Sequence, residues 1–330
     1  MVASVNPSQV DIQAQVADNT KIRIVSFDNK SYVEVTLGSK DEPSALTGND
    51  GLKLASAART ALSQRIPLVC LLNSSGAPPE SGIGALHGWG SAAAEISSCS
   101  GVIPVIFCVQ QPALAGPALL LGLADFVIMI ENSYSYVSGP RMVQEFTGVP
   151  VDHETLGGAS KHAQMSGLAS FVTGSIETAT EIIQELLTLL PINSASIAPQ
   201  MKNTDSPSRK LIGIAEIIPE SATGSYDVRE VIEQIVDEGI LTELKKDWAT
   251  NIVTSLATIN GHTVGIIANQ PQFLAGTLDI AASQKGARFV TFCDAFNLPL
   301  ITFVDTPGFQ PGKDLEWRGM IRHGAQLAFA

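Results

Sequence analysis

A shift of 232 residues (Lys285 minus Lys53) lays one part of this chain over another without a gap. Leu46 falls on Leu278, Lys53 on Lys285, Pro67 on Pro299, Leu68 on Leu300, Gly76 on Gly308 and Pro79 on Pro311. Val35 and Ile267, Val69 and Ile301, Leu72 and Val304, and Asn73 and Asp305 agree in character. Each copy reads as strand, loop, helix, buried strand and small-residue turn. A unit repeated at this distance confines the chain to two similar α/β layers instead of one continuous core. In the first copy the chain runs on to a second small-residue loop, Pro112-Ala-Leu-Ala-Gly-Pro117. The counterpart of Pro112 falls near 232 + 112 = 344, past Ala330. The expectation is a duplicated core whose second copy lacks one loop.

Composition agrees with two domains. A length of 330 residues suits two domains of roughly 150 each. With 45% hydrophobic and 16% charged residues the chain is globular, not disordered. A mean hydropathy of +0.21 points to apolar surface covered by partner subunits. The net charge of −12 argues against a nucleic-acid groove, which needs a basic footprint. Cys70, Cys99, Cys108 and Cys293 show no pairing or metal spacing and read as buried thiols of a reducing compartment. Met1–Asn19 has neither a basic nor an apolar leader segment, and Asp125 interrupts the longest apolar run, Pro117–Ile130. A soluble cytoplasmic protein without a membrane partner is expected.

Residues 1–20 read as a loosely held arm, 21–191 as a first domain, 192–225 as a linker rich in Ser, Asn and Pro, and 226–330 as a second domain. Ile22–Phe27 and Tyr32–Leu37 flank Asp28-Asn29-Lys30 as a hairpin. Gly51–Gln64 has Leu52, Ala55, Ala58 and Leu62 at helical spacing. Pro67–Leu72 and Val102–Val109 are short continuous apolar runs, as in strands covered on both faces. The second domain repeats the pattern with strand Thr263–Ala268, helix Ile280–Phe296 and strand Pro299–Asp305, and closes on a helix over Arg318–Ala330.

Two loops could carry chemistry. Asn73-Ser-Ser-Gly-Ala77 follows a buried strand, and its small side chains leave backbone N–H groups approachable. Ala113-Leu-Ala-Gly116 leads into Pro117, a residue suited to the first turn of a helix, so the N–H groups of Ala115 and Gly116 would point outward. Each loop alone is equally an ordinary turn. Together, on neighbouring strands, they form what an oxyanion hole for a thioester enolate requires. Other chemistries lack support. The five histidines have no ligand spacing, and no HExxH, CxxC, GxGxxG, P-loop or GxSxG pattern occurs. His162 reads as a loop hydrogen-bonder. With no acid–base pair in evidence, the chain suits a reaction whose cofactor supplies the base.

The chain resembles the carboxyltransferase (β) subunits of biotin-dependent acyl-CoA carboxylases, such as propionyl-CoA carboxylase. The second half carries Tyr226-Asp-Val-Arg-Glu-Val-Ile232, Ala268-Asn-Gln-Pro271, Lys285-Gly-Ala-Arg-Phe289, Cys293-Asp-Ala-Phe296, Asp305-Thr-Pro-Gly-Phe309 and Ile321-Arg-His-Gly-Ala325. The first half carries Ser100-Gly-Val-Ile-Pro104, Tyr136-Val-Ser-Gly-Pro140, Leu156-Gly-Gly-Ala159 and Ser166-Gly-Leu-Ala169. The resemblance runs from about residue 25 to the last residue. It implies two tandem crotonase-like ββα superhelical domains, the second incomplete, in a homo-oligomer expected to be a hexamer.

The resemblance also implies a mechanism. Carboxybiotin on a separate carrier protein releases CO2, its ureido nitrogen takes the acyl-CoA α-proton, and the enolate attacks CO2. Gly76, Ala77, Ala115 and Gly116 would supply backbone oxyanion donors. Gly308 and Phe309 would lie on the biotin side, and Gly157 and Gly158 on the CoA side. A biotin carboxylase and its biotin carrier would be partners, and no metal is implied. The family's first loop reads Ser-Gly-Gly-Ala-Arg against Ser74-Ser-Gly-Ala-Pro78 here, and its second reads Ala-Gly-Gly-Ala against Leu114-Ala-Gly-Pro117. Ala115 adds a methyl and Pro117 removes a donor. Two alternatives therefore stay open beside the carboxylase: an acyl-CoA decarboxylase of the same fold, and a non-catalytic structural paralogue.

Overall fold

The computed structural model describes residues 10–11, 19–39, 41–206, 208–221 and 224–330. The expected arm, 1–20, lies outside the described residues except for Asn19, Thr20 and a two-residue strand, β1 (Val10–Asp11). The chain forms two compact units. One runs to Thr188 and takes in Ile192–Ser196; the other comprises Leu189–Pro191 and Ile197–Ala330.

The first unit begins with an antiparallel hairpin, β2 (Thr20–Phe27) and β3 (Lys30–Leu37). Asp28 and Asn29 turn it with φ of 47° and 62°, left-handed values that match the twist of the flanking strands. After β4 (Ser44–Ala45) comes α1 (Gly48–Gln64), started by a capping box between Thr47 and Asp50 and ended by Arg65 in the left-handed region. Next are β5 (Leu68–Gly76), α2 (Gly82–Cys99), β6 (Val105–Leu114) and α3 (Gly116–Leu121). β7 (Phe126–Ile130), β8 (Tyr134–Tyr136), α4 (Pro140–Thr147), α5 (His153–Gly157), α6 (Ala159–Lys161), β9 (Phe171–Thr173) and α7 (Ile176–Leu189) follow. The sheet runs β1-β2-β3-β5-β6-β7-β9, parallel from β3 onward, with β4 paired to β5 and β8 to β6.

Val33, Val35, Leu68, Leu72, Phe107 and Val109 of this sheet meet Leu54, Ala58, Ala92 and Ile96 of α1 and α2 in one buried cluster. The two helices touch backbone to backbone: a Cβ on Gly48 would stand 2.6 Å from the Gly84 carbonyl oxygen.

The second unit contains α8 (Ile214–Ile217), α9 (Val228–Glu233), β10 (Thr242–Glu243), β11 (Ile252–Ile259), β12 (His262–Asn269), α10 (Ile280–Ala295) and β13 (Leu300–Phe303). It ends with α11 (Lys313–Trp317) and α12 (Met320–Phe329). Its sheet order is β10-β11-β12-β13. The helix expected over Arg318–Ala330 starts only at Met320, because Gly319 sits at φ 94° and breaks the run after Arg318. The stretch expected as a linker is bonded at both ends. Asn193 donates to the Arg65 carbonyl at 2.9 Å in the first unit. Arg209 donates to Gln234 O at 2.5 Å and Val236 O at 2.9 Å in the second.

The 232-residue repeat holds down to single hydrogen bonds. β2 and β3 map onto β11 and β12 residue for residue, and Asp28-Asn29 maps onto Asn260-Gly261, all with positive φ. Val33 pairs with Leu68, and Gly265 with Leu300. Val33 N–H donates to Pro67 O at 2.9 Å, and Gly265 N–H to Pro299 O at 2.8 Å. The helix caps correspond too, Thr47 for α1 and Asp279 for α10.

Candidate functional site

β5 and β6 run parallel with Ser74 opposite Ala113, so both strands end at the same edge of the sheet. Beyond them the chain turns at Gly76 (φ 99°) and at Ala115 (φ 56°, ψ −117°). The turns adjoin: a Cβ on Gly76 would lie 3.4 Å from Leu114 O and 3.6 Å from Ala115 Cβ. The structure thus brings Gly76, Ala77, Ala115 and Gly116 together.

The four N–H groups are not equivalent. Ala115 N–H donates to the Tyr136 carbonyl at 2.9 Å, which corrects its expected role as an oxyanion donor: β8 pairs alongside β6 and takes that hydrogen. Gly76 N–H faces Ser74 Oγ at 3.3 Å, while the Ser74 hydroxyl donates to Ser44 O at 2.8 Å. Among the described residues, Ala77 and Gly116 are left with N–H groups that meet no acceptor. Ala77 is exposed and Gly116 half-buried. Two unspent donors on adjoining turns, backed by buried sheet, are suited to an oxygen that gains negative charge.

Gly157 and Gly158 stand behind this edge. Gly158 bridges Tyr134, and Ala159 N–H donates to Ser133 O at 3.0 Å. A side chain on Gly157 would collide with the Ser135 carbonyl, so the glycines allow α5 and α6 to seat against β8. His162 bonds Ser135 O through Nε2 at 2.7 Å and Ser166 Oγ through Nδ1 at 2.8 Å. Because the carbonyl only accepts, Nε2 carries the hydrogen, and His162 acts as the hydrogen-bonder its position suggests. The Tyr136 hydroxyl reaches His153 Nδ1 at 2.8 Å.

Gly308 and Phe309 lie in the second unit at the positions equivalent to Gly76 and Ala77. Gly308 N–H faces Thr306 Oγ1 at 3.1 Å, as Gly76 faces Ser74. Phe309 N–H, like that of Ala77, has no acceptor among the described residues. A Cβ on Gly308 would meet nothing within 4 Å. Tyr226 donates its hydroxyl to Asp305 at 2.9 Å beside this turn. Burial, reinforced by that carboxylate, pushes the Tyr226 phenol up to about 12.

Sequence reasoning placed Ser74, Thr306 and Tyr136 in its motifs without giving them a role, and missed Trp89. Ser74 and Thr306 were recoverable, since they align at the 232-residue shift and share a hydroxyl. Trp89 and the Tyr136 carbonyl act across tertiary contacts that leave no local signal. Among the described residues, no group of three or more His, Cys, Asp or Glu could hold a metal ion. No helix of theirs is long and apolar enough to cross a membrane.

Known proteins are similar to this chain in sequence and in fold. The carboxyl transferase domain matches residues 40–330. The chain is 41% identical over 265 residues to the propionyl-CoA carboxylase carboxyltransferase subunit of Haloferax mediterranei, covering 80% of this chain and 51% of that protein. It is 40% identical over 279 residues to the methylmalonyl-CoA decarboxylase subunit alpha of Veillonella parvula, covering 84% and 55%. The crystal structure of transcarboxylase 12S with hydrolysed methylmalonyl-coenzyme A bound superposes with a TM-score of 0.91 at 32% identity, over 98% of this chain and 66% of that one. The chain spans about half the length of the curated relatives it matches. The fold is the crotonase-like carboxyltransferase fold expected from the motifs. The chain belongs to the carboxyl transferase family.

Proposed function

We propose that the chain is the carboxyltransferase component of a biotin-dependent acyl-CoA carboxylase, adding a carboxyl group to the α-carbon of an acyl-CoA. The observation that carries this reading is the pair of unspent donors, Ala77 N–H and Gly116 N–H, on adjoining turns. They suit a thioester oxygen that becomes an enolate oxyanion, and removing one such donor typically costs about 3 to 4 kcal/mol of transition-state stabilisation.

Carboxybiotin, when present, supplies both the carboxyl group and the base. Phe309 N–H and the open space at Gly308 fit a ureido oxygen that turns anionic. Gly157 and Gly158 support the CoA side by seating α5 and α6 behind the loop that carries Gly116. Side chains here position and exclude water, and the backbone binds charge. A biotin carrier with its biotin carboxylase would be the partners, and the assembly a homo-oligomer, by analogy with the hexamer named for transcarboxylase 12S. Four reduced, buried thiols fit a cytoplasmic setting.

A decarboxylase is the second reading, favoured by the 40% identity to the Veillonella parvula subunit, since loss of CO2 passes through the same enolate. Fixation of labelled bicarbonate onto acetyl-, propionyl- and longer acyl-CoAs, with a biotin carboxylase and carrier present, separates the readings. ATP-dependent fixation supports the carboxylase. Release of CO2 from methylmalonyl-CoA without fixation supports the decarboxylase. Neither activity supports the structural paralogue.

A further inference from the structure

We infer that Trp89 is a positioning residue that fixes the direction of the Gly116 N–H. The inference rests on the oxyanion reading proposed above. The Trp89 indole N–H donates to the Gly116 carbonyl at 2.8 Å. The same ring stands where a Gly116 side chain would be: a Cβ there would lie 2.8 Å from Trp89 Cδ1 and 3.3 Å from Nε1. One residue therefore meets Gly116 in two ways, by a hydrogen bond to its carbonyl and by filling the space a side chain there would need.

Tyr136 completes the clamp. Its carbonyl takes Ala115 N–H at 2.9 Å, so the bonds on either side of the Ala115–Gly116 peptide are both fixed. The hydrogen of that peptide is the one left unspent. Ala115 is held at φ 56°, ψ −117°, a conformation that an L-residue keeps only where its surroundings impose it. Pro117 has no N–H, so the neighbouring residue cannot replace Gly116 as donor. The direction of one bond then decides how well the oxyanion is met.

The clamp has a firm base. α2 carries Trp89 between Gly88, which is buried, and Ala92 and Ile96, both at 0% exposure in the main core. Trp89 itself packs half-buried against that core. An indole has a single donor and no acceptor, and here that donor is spent on the oxyanion loop. A hydrogen bond that aligns a transition-state donor lowers kcat when lost and leaves substrate binding nearly unchanged.

The test replaces Trp89 with its benzothienylalanine isostere, in which sulfur stands for the N–H, and separately makes Trp89→Phe, in the protein as the cell produces it. The assay is bicarbonate fixation with its biotin partners. The expected result for the isostere is a fall in kcat of about tenfold, with KM for acyl-CoA within about twofold and an unchanged melting temperature. Trp89→Phe, which loses ring area as well, falls further. Wild-type turnover with an isostere of equal kcat overturns the positioning role and leaves the oxyanion reading intact. A fall in kcat that tracks a lower melting temperature, and recovers on cooling, assigns Trp89 to packing and overturns it too. Absence of turnover in the wild type overturns the oxyanion reading and this inference with it.

Discussion

Gly76 and Gly308 stand 232 residues apart and accept the same hydrogen bond, from Leu46 N–H at 2.8 Å and from Leu278 N–H at 3.0 Å. Both lie at positive φ, 99° and 126°. Added methyls would meet only ordinary contacts at Gly76 and none at Gly308. The cost of a side chain is therefore backbone strain. Gly76→Ala and Gly308→Ala should each destabilise by about 1 to 2 kcal/mol, read from urea unfolding midpoints. Wild-type stability in either variant would show that its turn relaxes freely.

Ala115 presents the opposite case, a methyl at φ 56° and ψ −117°. Ala115→Gly relieves that strain but frees the unfolded chain, so the two effects oppose each other. The strain is the larger, and a gain of up to about 1 kcal/mol is expected. A clear loss of stability would mean that the methyl packs favourably.

Asp237 ties the turn between β11 and β12. Its carboxylate accepts from Asn260 N–H at 2.9 Å and Gly261 N–H at 2.7 Å. Burial pushes the carboxyl up, but these donors outweigh it and hold it below the ordinary 3.8. The unfolded chain therefore binds the proton first as pH falls, and the stability this group contributes is complete above pH 3.8 and lost below it. Asp237→Asn should lower stability at neutral pH by about 1 to 2 kcal/mol and flatten the acid limb of the stability profile. An unchanged acid limb would remove Asp237 from that role.

The thiols should be silent. Cys99, Cys108 and Cys293 are buried, and burial pushes each up to about 12. Cys70 is pushed higher still. At pH 8 a thiol reagent should label no cysteine in the native protein and all four free cysteines in denaturant. Rapid native labelling would contradict their burial.

The repeat made the architecture legible because the same turn geometry was kept at both copies, from the positive-φ turns at Asp28-Asn29 and Asn260-Gly261 to the Leu46 and Leu278 donors. β11 was harder to see. Ile252–Leu256 is buried on both faces, so no polar alternation marks it, although the shift of β2 predicts it. β8 spans three residues, too short for any periodic signal. That strand decides the site, since its Tyr136 carbonyl removes Ala115 from the donors and leaves Ala77 and Gly116. Which backbone hydrogens remain unspent depends on pairings between distant segments, and no local pattern encodes it.

The most direct measurement is an experimental structure of the protein with an acyl-CoA thioester bound. The thioester oxygen should lie about 3 Å from both Ala77 N and Gly116 N, with Ala115 N still bonded to Tyr136 O. An oxygen placed away from both nitrogens, or met by a side chain instead, would contradict the assignment of these two backbone groups as the oxyanion hole.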